Sequence, residues 1–544
     1  MNKKLSLLLL LGLVLPSCKL NIKDNTSSSN NKSSETSTTN SGTSSIESNN
    51  KVSSTNSSTN IKDSSKVEYT ENVEMINIDE YSDSHTYKSA FYKDFPEYSE
   101  SQWNTSLKFT LSADGTYYSV SDNVGANRLL ASDTLIIPAY YKGLPVQRIA
   151  QSSNGIGAFS ELSWLKTVYL PHTIKEIEYG TFSLSGIEKL YFDCAELEDF
   201  DGRNWVFYPS LSSSYKGMDV YFGPNVKRIP TRLFYPNATE PQFVPKINNI
   251  YFDKDCKVTS IGGHAFHNVD RYTSITLPDS VEVIEEFAFY KSSITELVLP
   301  SSLKTIANDA FEFSKIEHVK VNDKLEKIDE RAFAYSSLKG LDLSNSLLTV
   351  IDDEAFAYTS NLEGVKFNSL ITEIGERAFC NSGLVNLTLP DSVTLVRKDA
   401  FSNSESLEKI YLGKELKVLQ DKAFYNLKNL KTINIASTSL NDLAYGNQVF
   451  TNAGKTNGMQ VYVMDGVKSL PNNLFFSTSD IDSLANIHTL SLPNSLTRIG
   501  ECAFSDITIN KINYRGTTED FKKVVIEEDG LSYEKIEFGG NNNA

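Results

Sequence analysis

One stretch limits what this chain can fold into more than any other. Residues Ile294 to Phe311, ITELVLPSSLKTIANDAF, recur with small changes through most of its length. Ile294, Leu297 and Leu299 are apolar with Glu296 and Val298 set between the last of them, the two-residue alternation of a β-strand. Pro300 stops that strand, because proline has no N–H to give a ladder and its φ is fixed. Leu303 and Ile306 return inward on the far side. The Ala310-Phe311 pair closes the unit, a small residue where backbones pass closely beside a large ring that fills space. A unit of this size cannot bury its own apolar face, so it is stable only when stacked on copies of itself.

The closing aromatics are Phe159, Phe182, Phe207, Phe234, Phe266, Phe289, Phe311, Phe333, Phe356, Phe379, Phe401, Phe424, Phe450, Phe475 and Phe504. Their spacings are 23, 25, 27, 32, 23, 22, 22, 23, 23, 22, 23, 26, 25 and 29 residues, regular in the middle and longer near both ends. A period of 22 to 23 falls in the leucine-rich-repeat range. The spacing therefore predicts a leucine-rich-repeat solenoid of about fifteen coils. It would have a parallel β-sheet on a concave face and short turns or helical turns on the convex side. Phe182, Phe289, Phe311, Phe333, Phe356, Phe379, Phe401 and Phe424 would form its core spine.

Composition narrows the function. The formal charge is −16 with no run of Lys or Arg, which argues against a nucleic-acid groove or a basic membrane patch. Of five cysteines, Cys18 is in the leader and Cys194, Cys256, Cys380 and Cys502 fall in different coils, so no disulfide framework is implied.

In chain order, residues 1–18 have the form of a secretory signal, with Lys3 and Lys4 before an apolar core from Leu5 to Leu15. That core is too short to span a bilayer. Its end, Leu15-Pro16-Ser17-Cys18, resembles a bacterial lipoprotein signal, which implies lipidation at Cys18; Pro16 departs from the usual small or aliphatic residue. An ordinary signal peptide with an incidental cysteine is the alternative. Residues 19–65 are low in complexity: 28 of the 35 residues from Thr26 to Asn60 are Ser, Thr or Asn, the composition of a disordered tether. Such a segment spans roughly 35 to 40 Å. Residues 66–104 regain aromatics without a period. Residues 105–150 read as an N-terminal cap, a hairpin turning at Asp114-Gly115 followed by an irregular first repeat. The solenoid occupies 151–515, and 516–544 hold a C-terminal cap, where Thr518 would cap a short helix carrying Phe521 and Val525, and a tail. The coil pair 195–207 and 217–234 matches 439–450 and 458–475, the mark of a duplicated block.

The pattern LxxVxLPxSVxxIxxxAF, as in YTSITLPDSVEVIEEFAF (272–289), closely resembles the BspA-like class of bacterial leucine-rich repeats. The segments YKGLPVQRI and NYRGTTEDFKKV resemble those that open and close such arrays, and the likeness covers about 105–530. It implies surface display, adhesion and protein binding, and implies no catalytic role for the repeat.

No catalytic constellation is present: no HExxH, GxSxG, Walker loop or EF-hand loop occurs. His85, His172, His264, His267, His318 and His488 are dispersed; only His264 and His267 are neighbours, and without a third ligand in sequence they read as exposed convex-face residues rather than a metal site. Cys380 and Cys502 read as small buried thiols. The strand face offers more, since Tyr169, Tyr191, Tyr221 and Tyr251 occupy the outward position in four successive strands, with Tyr411 and Tyr462 recurring near the other end. The row is either a binding patch or a cross-strand stacking ladder. The expectation is a non-enzymatic, lipid-anchored cell-surface protein, needing no cofactor, that binds an extracellular protein or glycan. The alternatives are a structural or self-associating surface protein, or a carbohydrate-binding surface module that uses the tyrosine row.

Overall fold

The computed structural model describes residues 107–539, except 123–132, 153, 154, 156, 203, 236–243, 270, 273, 477–483, 508 and 533–535. The leader, the tether and residues 66–104 lie outside the described residues.

Most coils contribute one strand to each of two parallel ladders; those closed by Phe207 and Phe450 carry no strand of the second, and the coil closed by Phe289 joins the first only through the bridge from Ser274 to Glu296. In the central coils the longer strands are Glu296–Val298, His318–Lys320, Gly340–Asp342 and Gly364–Lys366, paired so that Leu297 meets Val319 and Leu341 meets Val365. Inward residues such as Leu297 and Leu299 are buried, while Val298 on the other face is 46 % exposed. The second ladder is made of two-residue strands, Val283–Ile284, Thr305–Ile306 and Lys327–Ile328, each pairing one coil to the next. These are the inward-returning isoleucines of the sequence unit, now seen to carry a ladder of their own.

The remaining side of each coil is a run of turns; among the described residues no coil carries a helix. The residue before the Ala and the second after the Phe adopt left-handed backbone, as at Arg331 (φ 54°) and Tyr335 (φ 56°) around Ala332-Phe333. This alternation sends Ala332 N–H back to Asp329 O within the coil (3.2 Å) and Phe333 N–H on to Ala355 O of the next (2.9 Å). Both amides of the Ala332-Phe333 pair are thereby satisfied where the chain is most buried.

Beneath those turns runs the aromatic spine. From Phe289 to Phe450 successive rings lie 5.2 to 5.7 Å apart with planes within 11° of parallel. Phe182 stacks on Phe159 and Phe207 at 5.7 Å each. Offset stacking adds to the area each ring removes from water.

At the N-terminal end Leu107–Leu111 and Tyr118–Asp122 form an antiparallel hairpin, its turn tied by Ser112, Asp114 and Thr116. At the C-terminal end the helix is only Thr518–Phe521. Its N-cap is Thr517, in extended backbone, whose hydroxyl accepts from Asp520 N–H while the Asp520 carboxylate reaches back. The sequence placed the cap at Thr518 and kept Val525 on the helix; instead Val525–Ile526 forms a strand of the second ladder. A helix of four residues ends before Val525 can reach its face.

The duplicated coil pair shares its interior bonds. Asn204 donates to Arg232 O (2.8 Å) and accepts from Val206 N–H (3.0 Å); Asn447 donates to Asn473 O (3.0 Å) and accepts from Val449 N–H (3.1 Å). Asp199 and Asp442 each accept a backbone N–H of the following coil at 2.8 Å.

Candidate functional site

The strands Thr167–Leu170, Lys189–Phe192, Met218–Phe222 and Ile247–Phe252 pair in parallel, and their register sets Tyr169 opposite Tyr191, Tyr191 opposite Tyr221 and Tyr221 opposite Tyr251. The rings follow the register: centroids lie 4.3, 4.7 and 4.9 Å apart, with planes 12°, 12° and 15° from parallel. Tyr191, Tyr221 and Tyr251 are half-buried. Tyr169 differs from the sequence expectation of an exposed row, for it is 3 % exposed. It pairs with Ile136 of the strand Thr134–Ile136, all three residues of which are buried, so the strand face is covered at this end. Beside the rings Lys189, Asp219 and Asn249 are also in register, and Asn249 donates to the Asp219 carboxylate at 2.8 Å. Burial pushes the phenols of Tyr191, Tyr221 and Tyr251 upward, and the Asp219 carboxylate adds to the effect. The row is thus an uncharged, amphipathic surface at neutral pH.

Tyr411 and Tyr462 are not part of a stack, because Asn434 lies between them in register.

The histidine pair lies on the turn side, but is less exposed than the sequence suggested. His264 and His267 are half-buried rather than exposed, with their Nδ1 atoms 3.2 Å apart. His264 stacks on Phe287 at 4.7 Å and His267 on Tyr290 at 4.6 Å, with Tyr235 edge-on to both. Burial lowers the two imidazoles to about 4 and about 3, with Arg232 acting further on His264 and with His264 and Lys291 acting on His267. Neutral rings in an aromatic setting among cations make a packing cluster. Among the described residues no group of three or more His, Cys, Asp or Glu is arranged for a metal.

Sequence reasoning missed a second aromatic series, on the same turn side as the histidines. Tyr290, Phe313, Tyr335 and Tyr358 continue the rings over successive coils at 5.7, 4.5 and 4.3 Å. Phe313, Tyr335 and Tyr358 hold left-handed backbone at a position that Asn381, Asn403, Asn426 and Asn452 fill in the succeeding coils. Asparagine suits that conformation and bulky rings do not. The available signal was the residue two after each landmark Phe, which changes from aromatic to Asn. Below these rings Arg331 pairs with Asp309 at 2.7 Å and Glu312 at 3.4 Å, both carboxylates being buried.

The four described cysteines are free thiols. Cys194, Cys256 and Cys380 are buried; Cys502 is half-exposed, unlike its sequence reading. Burial raises all four, Cys256 to about 12, the direction opposite to that of an activated nucleophile.

Two ladders, a stacked phenylalanine spine and side chains free to vary outside it define a leucine-rich-repeat solenoid. The sequence profile of the BspA-type leucine-rich repeat region matches in six copies, over residues 148–240, 242–363, 349–482, 461–529 and 482–542, and the chain belongs to that family. No curated protein matches the chain in sequence. Among solved structures it is similar to a leucine-rich repeat protein from Bacteroides ovatus, at 19 % identity over 80 % of this chain and 98 % of that one, with a TM-score of 0.43. It is similar as well to a leucine-rich cell surface protein from Faecalibacterium prausnitzii, at 17 % identity over 77 % and 96 %, TM-score 0.33. A third is the pneumococcal vaccine antigen PcpA, at 17 % over 79 % and 97 %, TM-score 0.35. Likeness at these levels carries nothing about activity. No helix among the described residues is long and apolar enough to cross a membrane.

Proposed function

We propose that this is a non-enzymatic protein of the bacterial cell surface that binds an extracellular protein or glycan through the strand face of its solenoid. The observation that supports it best is the in-register tyrosine row, whose three outer members are half-buried rings with little rotamer freedom left to lose. Stacking alone favours a second reading, in which the row only braces the sheet and the protein is a structural or self-associating surface component. Changing Tyr191 and Tyr221 together to Ser separates the two. A contact patch gives near-normal melting with affinity for a captured partner weaker by about 2 to 4 kcal/mol. A bracing ladder gives lowered melting with unchanged affinity. The partner is sought by pull-down of matrix proteins, serum proteins and mucin glycans with residues 66–544.

We also propose that lipid on Cys18 holds the protein to the outer face of the cell membrane, with residues 19–65 as its tether. Diacyl-type anchoring is stable where a single chain is not. Cys18→Ser is expected to move the protein from washed membranes to the soluble fraction, and retention of the variant in those membranes sinks the anchor.

A further inference from the structure

The turn side of the central coils keeps aromatic rings where the backbone favours something smaller. Phe313, Tyr335 and Tyr358 each stand two residues after a landmark phenylalanine, in left-handed backbone at φ 56°, 56° and 59°. The next four coils fill that position with Asn381, Asn403, Asn426 and Asn452, which hold the same conformation at less steric cost than a bulky ring. Tyr358 packs on the buried Ala334, Ala357 and Cys380, whereas Phe313 and Tyr335 are each 41 % exposed. Tyr335 has Phe313 stacked on one face at 4.5 Å and Tyr358 on the other at 4.3 Å, so its exposed part is its edge. The rings make an apolar ridge, one in each of three successive coils. Lys291 Nζ closes its N-terminal end, 5.2 Å from the Tyr290 ring and 5.6 Å from the Phe313 ring.

Beside the ridge runs an excess of negative charge. The turn segments 285–292, 307–315, 329–337, 352–360 and 375–383 hold ten acidic and four basic side chains. Both arginines among them are engaged, Arg331 by Asp309 and Glu312 and Arg377 by Glu354 at 2.9 Å. From outside these segments Arg228 takes Glu285 at 3.3 Å and Lys327 takes Asp329 at 2.5 Å. Asp352 and, three residues before each landmark Phe, Glu286, Glu330, Asp353 and Glu376 enter no ion pair among the described residues. The carbonyls of Glu330, Asp353 and Glu376 each accept an N–H of the coil before, at 3.0, 3.1 and 2.8 Å, which sets the three in a column. Burial raises the Tyr335 phenol, then Tyr358, with Glu354 adding to it, so the carboxylates next to that column lie within electrostatic reach of the ridge.

We propose that this face docks a cationic, amphipathic segment of another protein, its aliphatic side chains against the ring edges and its Lys or Arg against Glu286, Glu330, Asp353 and Glu376. Charge complementarity selects that occupant. A second copy of the chain brings a formal charge of −16 and no run of Lys or Arg, and the aromatic-rich segment 66–104 carries nine acidic residues against three lysines, so both would be repelled. An uncharged apolar segment would cover the ridge while taking those carboxylates out of water without a counter-ion. The face is separate from the tyrosine row, and neither reading depends on the other.

The test is fluorescence-anisotropy titration of the full-length protein, at about 0.15 M salt, with three labelled, acetylated decapeptides: alternating arginine and leucine, alternating arginine and serine, and alternating glutamate and leucine. The arginine–leucine peptide is expected to bind saturably and the other two at least about tenfold more weakly. Phe313→Asn, Tyr335→Asn and Tyr358→Asn together should weaken it by about tenfold or more at unchanged net charge. That variant should melt at the wild-type temperature or above, since the succeeding coils already carry asparagine there. Glu330→Gln with Glu376→Gln touches no ring, and should weaken the peptide by about threefold or more and flatten its salt dependence. Tyr191→Ser with Tyr221→Ser should leave the affinity unchanged. Absence of saturable binding, equal binding of either control peptide, affinity unmoved by the asparagine variant, or an equal loss in the Tyr191 and Tyr221 variant each overturns the proposal. If the asparagine variant melts lower, the glutamine pair decides, and unmoved affinity there overturns it equally.

Discussion

Truncation of Phe333 to alanine is expected to cost about 3 to 5 kcal/mol of local stability, the range for losing a fully buried aromatic ring. The ring is 1 % exposed and lies between Phe311 at 5.2 Å and Phe356 at 5.7 Å, so its loss leaves a void that neither neighbour can fill without leaving its own stack. Coils touch mainly their neighbours, and the damage should stay within the coils closed by Phe311, Phe333 and Phe356. Hydrogen exchange resolved along the chain checks this. Loss of protection spread evenly over the whole array would contradict a one-dimensional stack.

Arg331→Met is expected to cost about 2 to 4 kcal/mol at neutral pH, somewhat less than for a fully buried pair because the guanidinium is about a third exposed. It removes the cation held between Asp309 and Glu312 and leaves two crowded carboxylates below the turn-side rings. Burial already raises both carboxyls from ordinary values of 3.8 and 4.5, each opposed by Arg331, and Asp309 raises Glu312 further. A carboxyl with a raised folded pKa binds its proton more tightly in the folded state. Its stabilising contribution is complete below the unfolded value and is lost as pH rises through the folded one. Without Arg331 both folded values climb further, so the variant's deficit should shrink as pH is lowered from 7 to about 5. Denaturation at the two pH values reads this directly; an equal deficit at both would mean that the side chain's packing, not its charge, is what matters.

What the sequence made legible was whatever repeats at the coil period. Phe182, Phe289 and their successors were readable because the spacing between them is the spacing of the stack, and Leu297 and Leu299 because burial alternates along a strand. The register of Tyr191, Tyr221 and Tyr251 came from the same period. Burial of Tyr169 was out of reach, since an outward residue's exposure is set by what lies over the sheet and not by its own strand. The partial burial of His264 and His267 was missed for a related reason: their surroundings, Tyr235, Phe287 and Tyr290, come from beyond their own coil. The left-handed turn positions hid behind varied side chains, Lys291, Phe313, Tyr335 and Asn381 all adopting one backbone state.

The hydrogen bonds that pass from one coil to the next are the same at each central junction, from Phe311 N–H to Ala332 O and again from Phe379 N–H to Ala400 O, both 2.8 Å. A cut and rejoining at equivalent points therefore recreates a junction the protein already has. Loss or gain of a whole unit, 22 residues between Phe311 and Phe333, restores both ladders, whereas loss of a single residue within a strand would turn that strand inside out. Unequal recombination would thus be filtered by the fold itself: whole coils and changes confined to the turns are accommodated, as the spacings from 22 to 32 residues show, whereas changes within a strand are not. Each coil gained or lost would change the array's reach by one step of about 4.8 Å, and each added coil would bring a fresh set of outward side chains.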